Sequence, residues 1–420
     1  MSHNKNMKNN YFSKKCNFRL PGMNIAIKHT FLSKKIYLIL FAIILLVFST
    51  SIFSSCENPW MADILSGFDE KGNKKVFTSI AKAIEWLNSQ PGGGSANNPV
   101  SLNMKIPLGA MPSSEWGDLL TAIDLTGKYV NLDLSACALN SPYMFDPGEN
   151  SSIAKNQITS LILPNQAQTI VDNNSLGAFN HFTNLTHMSG ANINTIGITA
   201  FYSCNELISV SFPAAIVIKD AAFQGCEKLE KVNMSKAEYI GGWSFEGCIA
   251  LKTINFPEAK TISNSAFSDC QTLTIVNLPK AEFIGGQAFT RCYALIDLTL
   301  PAAKTISADA FYNTPALTGL ILPMVESIGS SAFQGCEALI NITLGHAAPT
   351  LGTDIFNYVG PPVRSVIVSI PSGAIGYGLS PVDDITQNWG NAFRGMGWDG
   401  TSYLTGAVNP NINLIIQNLP

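Results

Sequence analysis

The chain has 420 residues, of which 46% are hydrophobic and 13% charged, a balance that supplies a large core and excludes a disordered polypeptide. Its formal charge of -3 conceals an asymmetry: residues 1–55 hold eight Lys or Arg and no acid, leaving 18 basic against 29 acidic side chains elsewhere, a net of -11. Nucleic acid is excluded as a partner, because affinity for it comes mainly from Lys and Arg neutralising phosphates.

Lys34 and Lys35 precede a thirteen-residue apolar run, Ile36 to Phe48, after which small residues lead to Cys56 in "STSIFSSC". A basic region, an apolar stretch of this length and small residues before a cleavage point are the features of a secretory signal. Cleavage ahead of a cysteine resembles the bacterial lipoprotein signal, whose thiol is acylated. Residues 1–55 are therefore expected to be a lipoprotein-type signal peptide and Cys56 the lipidation site. The rest is expected to be exported and lipid-anchored in the bacterial envelope, at the outer membrane or cell surface. An uncleaved anchor is the competing reading, since Ile36 to Phe53 is about the minimum length for a span.

Residues 56–128 read as anchor, linker and helical N-terminal cap. Ile80, Ile84 and Leu87 have helical spacing in "FTSIAKAIEWLNSQ", which Pro91-Gly-Gly-Gly94 ends. A second helix is expected after Ser113, with Trp116, Leu119, Leu120 and Ile123 inward. Val130, Leu132 and Leu134 then alternate into a strand that starts a stack over residues 129–370.

Between residues 177 and 345 the chain repeats every twenty-two residues. Phe stands at 179, 201, 223, 245, 267, 289, 311 and 333, and Cys three places on at 204, 226, 248, 270, 292 and 336, with Thr314 in the remaining slot. Leu follows at 207, 229, 251, 273, 295, 317 and 339, then two apolar positions such as Leu298 and Leu300, and Pro closes most units. In each unit the last apolar positions alternate, which predicts a short strand with both facing inward; Pro, lacking an N–H, stops it. A second extended piece, such as Tyr239-Ile240 or Thr261-Ile262, turns inward through Ile. Gly241-Gly242 and Gly285-Gly286 are read as permitting a tight bend, and Ala-Phe-x-x-Cys as a helical or 3₁₀ turn.

Each unit is one coil, and one coil cannot stand alone. Burying a large side chain gains roughly 1.5 to 3 kcal/mol, whereas ordering each of its residues costs roughly 1 to 2 kcal/mol of backbone entropy. Stacked in register, coils share a core. The expected fold is an α+β solenoid, a right-handed leucine-rich repeat coil with short parallel strands, capped at both ends.

The unit "IGGQAFTRCYALIDLTLP", Ile284 to Pro301, resembles the BspA-like leucine-rich repeat of bacterial and protozoal surface antigens, with weaker echoes at Ile158 to Pro164 and Val363 to Val368. The resemblance implies a surface lipoprotein engaged in adhesion to host matrix proteins, other bacteria or epithelial cells. It carries no fixed ligand motif, so the partner is expected only as an unidentified protein ligand, bound by a monomer.

The cysteine column reads as a buried, reduced ladder. Equivalent Cβ atoms in adjacent coils stand about 4.7 to 4.9 Å apart, whereas a disulfide wants about 3.8 Å. Before each inward Ile the charges alternate as Glu238, Lys260, Glu282, Lys304 and Glu326, beside Tyr239, Thr261, Phe283, Thr305 and Ser327, so the units come in pairs. This is expected to be a register-keeping surface ladder, with a ligand platform as the alternative. Outward strand positions form polar rows, and Lys231, Asn233, Thr253, Asn255, Asn277, Asp297 and Thr299 are the candidate binding face.

Residues 371–420 read as a C-terminal cap or small flank, with Trp389, Phe393, Trp398 and Tyr403 plugging an exposed core end and Ile412, Leu414 and Ile416 alternating. Gly395 to Gly400 matches a dinucleotide fingerprint but lacks its strand and helix frame, and is read as a loop. His181, His187 and His346 adjoin no expected nucleophile, and no cysteine pair has C-x-x-C spacing. No catalytic residue, metal or cofactor is expected; a hydrolase in the C-terminal flank is the remaining enzymatic alternative.

Overall fold

Helix α1 (Ile80–Ser89) buries Ala83 and Leu87 and ends where the Gln90 N–H returns to the Leu87 carbonyl. Helix α2 (Ser114–Thr126) starts at Ser113, whose hydroxyl accepts the Trp116 N–H at 3.2 Å, and stops at Gly127, which takes the left-handed conformation with φ 62°. Its buried face is Trp116, Leu119, Leu120 and Ile123, as the spacing predicts. A computed structural model describes residues 19–20, 23–24, 74–140, 143–148, 154–172, 178–355, 364–371 and 412–419. The chain divides into two compact units, Met1–Trp60 and Met61–Pro420. In the first, Arg19–Leu20 pairs antiparallel with Met23–Asn24; the solenoid lies in the second.

The solenoid is a parallel stack with two strand columns. Its first column begins at Val100–Asn103, which pairs in register with Val130–Asp133 across the α2 crossover. The ladder therefore starts one strand earlier than the alternation at Val130 suggests, because Val100 and Leu102 turn inward with the same period of two. The column then runs through Ile158–Ile162, His187–Ser189, Ser209–Ser211 and Lys231–Asn233. After a break, Thr253–Asn255 pairs only Ile275–Asn277; after a second, Asp297–Thr299, Gly319–Leu322, Asn341–Leu344, Arg364–Pro371 and Ile412–Leu419 form a third sheet. The second column is one continuous ten-stranded sheet of two-residue strands, from Met144–Phe145 to Thr350–Leu351, with every inward Ile in register.

Phenylalanines fill the space between the columns. Adjacent rings from Phe179 to Phe333 are nearly parallel, with centroids 4.7 Å apart for Phe179–Phe201 and 5.6 Å for Phe311–Phe333. Phe145 extends the stack toward the N-terminus and Trp116 meets it edge-on at 5.7 Å, so α2 plugs that end of the core. Phe145 precedes Phe179 by thirty-four residues, an irregular spacing that hides it from a search for period twenty-two. Ile355, fully buried, takes the next place after Phe333.

The Ala-Phe-x-x-Cys segment is not the 3₁₀ turn expected. The residues two before and two after each Phe from Phe201 to Phe333 adopt positive φ, for example Ser265 at 56° and Asp269 at 59° around Phe267. This aims alternate amides along the stack: Ser265, Phe267 and Asp269 donate to the carbonyls of Gly286, Ala288 and Thr290 in the next coil at 2.8 to 2.9 Å. The amides between them close turns within their own coil, as Ser268 N to Ser265 O does at 3.1 Å. The turns thus form a third hydrogen-bonded ladder, which satisfies backbone groups that a helical turn would have left along the stack.

Glycines at the paired corners also act differently from expectation. Gly241 and Gly285 do not have positive φ; a Cβ on Gly241 would lie 2.5 Å from the Lys219 carbonyl carbon, and one on Gly285 2.6 Å from Asn264 N. They let one coil approach the backbone of the coil before it. The preceding coil then reaches over: Asp220 Oδ1 accepts the Gly242 N–H at 2.8 Å and Asn264 Oδ1 the Gly286 N–H at 2.9 Å. These two interfaces are the ones at which the first strand column breaks. Gly197 and Gly329, one forty-four-residue step to either side, approach the preceding coil as closely while the first-column strands beside them stay paired, so the period fixes the glycine corner and not the break.

Candidate functional site

The outward rows of the first column stand where alternation puts them. Val232, Ile254, Val276 and Leu298 turn inward, so the flanking Lys231, Asn233, Thr253, Asn255, Asn277, Asp297 and Thr299 are all exposed. Several are already tied to neighbours. Asn233 Nδ2 donates to Ser211 Oγ at 3.0 Å, Asn277 Nδ2 to Asn255 Oδ1 at 2.6 Å, and Asp297 Oδ1 accepts the Thr318 hydroxyl at 2.7 Å. The side chains of Lys231, Thr253 and Thr299 make no hydrogen bond or ion pair among the described residues. Because the ladder breaks on either side of Thr253–Asn255 and Ile275–Asn277, the candidate residues span three sheets rather than one.

The charge ladder is drawn together in pairs. Lys260 Nζ lies 2.7 Å from Glu238 and Lys304 Nζ 2.7 Å from Glu282, each lysine reaching back one coil. These bonds lower the pKa of both glutamates and raise those of both lysines. Glu326 adds a Coulombic pull on Lys304 without an ion pair. The same one-coil spacing joins Lys228 to Glu206 and Lys280 to Glu258 on other rows, so pairing along the stack is a general device of the surface.

The seven described cysteines are free and buried. Each thiol of the column donates to the carbonyl of the Phe one coil back, for instance Cys270 Sγ to Phe245 O at 3.2 Å. Burial pushes the Cys204 and Cys336 thiols up to about 12 and those of Cys226, Cys248 and Cys292 well above their usual range. Thiols held protonated are neither nucleophiles nor metal ligands. Thr314 replaces one of them, its hydroxyl donating to Phe311 O at 2.7 Å and lying 3.0 Å from Cys336 Sγ.

Among the described residues, one histidine stands beside a hydroxyl. His187 Nδ1 is 2.7 Å from Thr186 Oγ1, but that hydroxyl donates to Thr159 O at 2.8 Å, so the imidazole is not placed to take its proton. Among the described residues no group of three or more His, Cys, Asp or Glu could hold a metal ion, and no helix is long and apolar enough to cross a membrane. Cys56, the C-terminal aromatics Trp389, Phe393, Trp398 and Tyr403, and the Gly395 to Gly400 loop lie outside the described residues. What the described surface offers is shape, hydrogen-bonding groups and isolated apolar side chains, the means of protein recognition.

No curated protein matches the chain. Among solved structures, the leucine-rich repeat protein of T. pallidum is 24% identical, with 42% of this chain and 86% of that one covered and a TM-score of 0.35. A leucine-rich repeat protein of Bacteroides ovatus is 22% identical, covering 58% of this chain and 63% of its own length, with a TM-score of 0.41. A leucine-rich cell surface protein of Faecalibacterium prausnitzii is 19% identical over 61% of this chain and 87% of that one, with a TM-score of 0.29. The family description "BspA type Leucine rich repeat region" matches in six copies over residues 149–274 and 260–373. With more than half of its length so matched, the chain belongs to the BspA-type leucine-rich repeat family, whose solenoid is a protein-binding scaffold rather than a catalytic one.

Proposed function

We propose that the protein is an exported, surface-exposed lipoprotein, anchored through Cys56, that binds a protein of the host matrix or of a neighbouring cell through the outward rows of its first strand column. The observation that carries this reading is the exposed polar row itself, in which Lys231, Thr253 and Thr299 remain unspent on intramolecular bonds while their inward neighbours are fixed by the core. Extended rows of this kind are what solenoids use for recognition. The signal-like stretch before Cys56 and the net charge of -11 after residue 55 support an exported, non-nucleic-acid-binding role.

Two measurements test it. Cells fed labelled palmitate should label the wild type and not Cys56→Ala; label retained by the variant ends the anchor assignment. The exported part, presented to a panel of matrix proteins, should bind at least one, and Thr253→Arg with Thr299→Arg should weaken that binding by about tenfold or more with the melting temperature unchanged. Absence of any ligand, or unchanged binding by the double variant, removes the row from the mechanism. The neighbour bonds of Asn233, Asn277 and Asp297 favour a second reading, a structural lipoprotein of the envelope. Protease shaving of intact cells separates the two, since an adhesin is cut and a protein facing the periplasm survives.

A further inference from the structure

The second strand column leaves two rings exposed on its outer face, beside a charge row that is joined in pairs within the chain, Lys260 to Glu238 and Lys304 to Glu282. The outward residues of its two-residue strands run Val217, Tyr239, Thr261, Phe283, Thr305 and Ser327 in strict register. Tyr239 and Phe283 are 39% and 38% exposed despite their size, and each stands between smaller neighbours in the adjoining coils. Immediately beside them run Glu238, Lys260, Glu282 and Lys304, all exposed. Both rows alternate with the same step: each ring goes with a glutamate and each threonine with a lysine.

Two properties follow from that shared alternation. A row of alternating charges repels a copy of itself when like coils are laid on like, but complements it when the copy runs antiparallel about an axis between two coils. With the axis between the coils of Thr261 and Phe283, Glu238 meets the partner's Lys304 and Lys260 meets the partner's Glu282, and the reciprocal pairs form by symmetry. The same operation lays Tyr239 over the partner's Thr305 and Phe283 over the partner's Thr261, a ring opposite a small side chain at every step. Moving the axis one coil toward the C-terminus still sets Tyr239 over the partner's Thr350 and Phe283 over the partner's Thr305, but it puts Glu238 opposite the partner's Pro349 and loses a charge pair. Size permits either axis, and charge selects the first, in which all four charges are matched.

We propose that this face is the contact between two copies of the chain, joined antiparallel about that two-fold axis, in place of the monomer expected from sequence. Four coils at about 4.8 Å each make a contact shorter than a standard interface, so the dimer is weak and reversible. Glu326 falls outside the four paired coils. The proposal is independent of the binding role of the first column, which uses other residues.

Sedimentation of the full chain from about 1 μM to about 1 mM tests it. The wild type should shift from monomer to dimer across that range. Lys260→Glu with Lys304→Glu makes the row wholly acidic, and Glu238→Lys with Glu282→Lys makes it wholly basic; each alone should dimerise at least tenfold more weakly, while an equimolar mixture should restore a mixed dimer. Phe283→Thr, which keeps every charge, should also weaken association, and guards against a charge variant that misfolds. A wild type that stays monomeric throughout, single variants that associate like the wild type, or a mixture that stays monomeric overturns the proposal. A monomer that instead retains another protein or a glycan on this face gives the surface a different occupant and overturns it equally.

Discussion

The cysteine column makes the solenoid sensitive to alkali in a way its surface does not reveal. Six thiols, Cys204, Cys226, Cys248, Cys270, Cys292 and Cys336, are buried and all are shifted upward from the ordinary 9.0, chiefly by burial. In the unfolded chain each ionises near 9.0, whereas in the folded chain Cys204 and Cys336 hold their protons to about 12 and burial raises the other four well above the usual range. Above pH 9 the unfolded state has released protons that the folded state keeps, so stability is intact below that value and falls as pH climbs toward 12. At pH 10 the loss is between about 1 and 2 kcal/mol for a thiol such as Cys204 or Cys336, and the other four act in the same direction, so the column weighs against a typical domain stability of about 5 to 15 kcal/mol. Urea midpoints measured by circular dichroism under reductant at about pH 7 and about pH 10 should separate sharply for the wild type and much less for a variant with all six changed to Ala. The two proteins share every other side chain, so the comparison isolates the thiols. Equal pH slopes for the two would show that the thiols are not held protonated by the core.

Other substitutions probe separate parts of the stack. Gly285→Ala should cost about 1 to 3 kcal/mol, because its Cβ meets backbone at 2.6 Å, whereas Gly286→Ala, whose nearest neighbour is Ala308 O at 3.3 Å, should change stability by less than about 1 kcal/mol; equal thermal shifts would contradict the close approach of the coils. Phe267→Ala removes a ring stacked at 5.3 Å on both Phe245 and Phe289 and should cost about 3 to 5 kcal/mol in urea unfolding; a loss below about 1 kcal/mol would mean that the ring column is not what holds adjacent coils. Ser244 occupies a column otherwise filled by Ala, and its hydroxyl is buried without a partner. Ser244→Ala should therefore raise stability by about 1 to 3 kcal/mol, and an unchanged or lowered midpoint would show that the hydroxyl is satisfied.

Much of the architecture is legible in the residues themselves. The faces of α1 and α2, the inward Ile of the second column and the Phe stack all follow from spacing, because side chains that share a wall must recur at the spacing of that wall. The candidate row from Lys231 to Thr299 was equally readable as an outward face, since strand alternation fixes which side points to solvent. Less legible were Phe145, hidden by an irregular interval, and the strand at Val100–Asn103, set between prolines at positions 99 and 107. The role of Gly241 and Gly285 was misread as a bend, because a glycine in sequence does not show whether it serves a dihedral angle or a close contact.

The amino-acid order by itself determined the period, the division of each coil into inward and outward residues, and the family to which the coil belongs; these depend on neighbours a few residues apart and on repetition. The tertiary structure decided the rest: left-handed residues on both sides of each Phe from Phe201 to Phe333, a turn ladder in place of a 3₁₀ turn, breaks in the first column, and glycine corners where one coil meets the backbone of the coil before it. Those features depend on how residues twenty-two apart meet across a contact, through steric room and hydrogen-bond direction that exist only once one coil lies against the next.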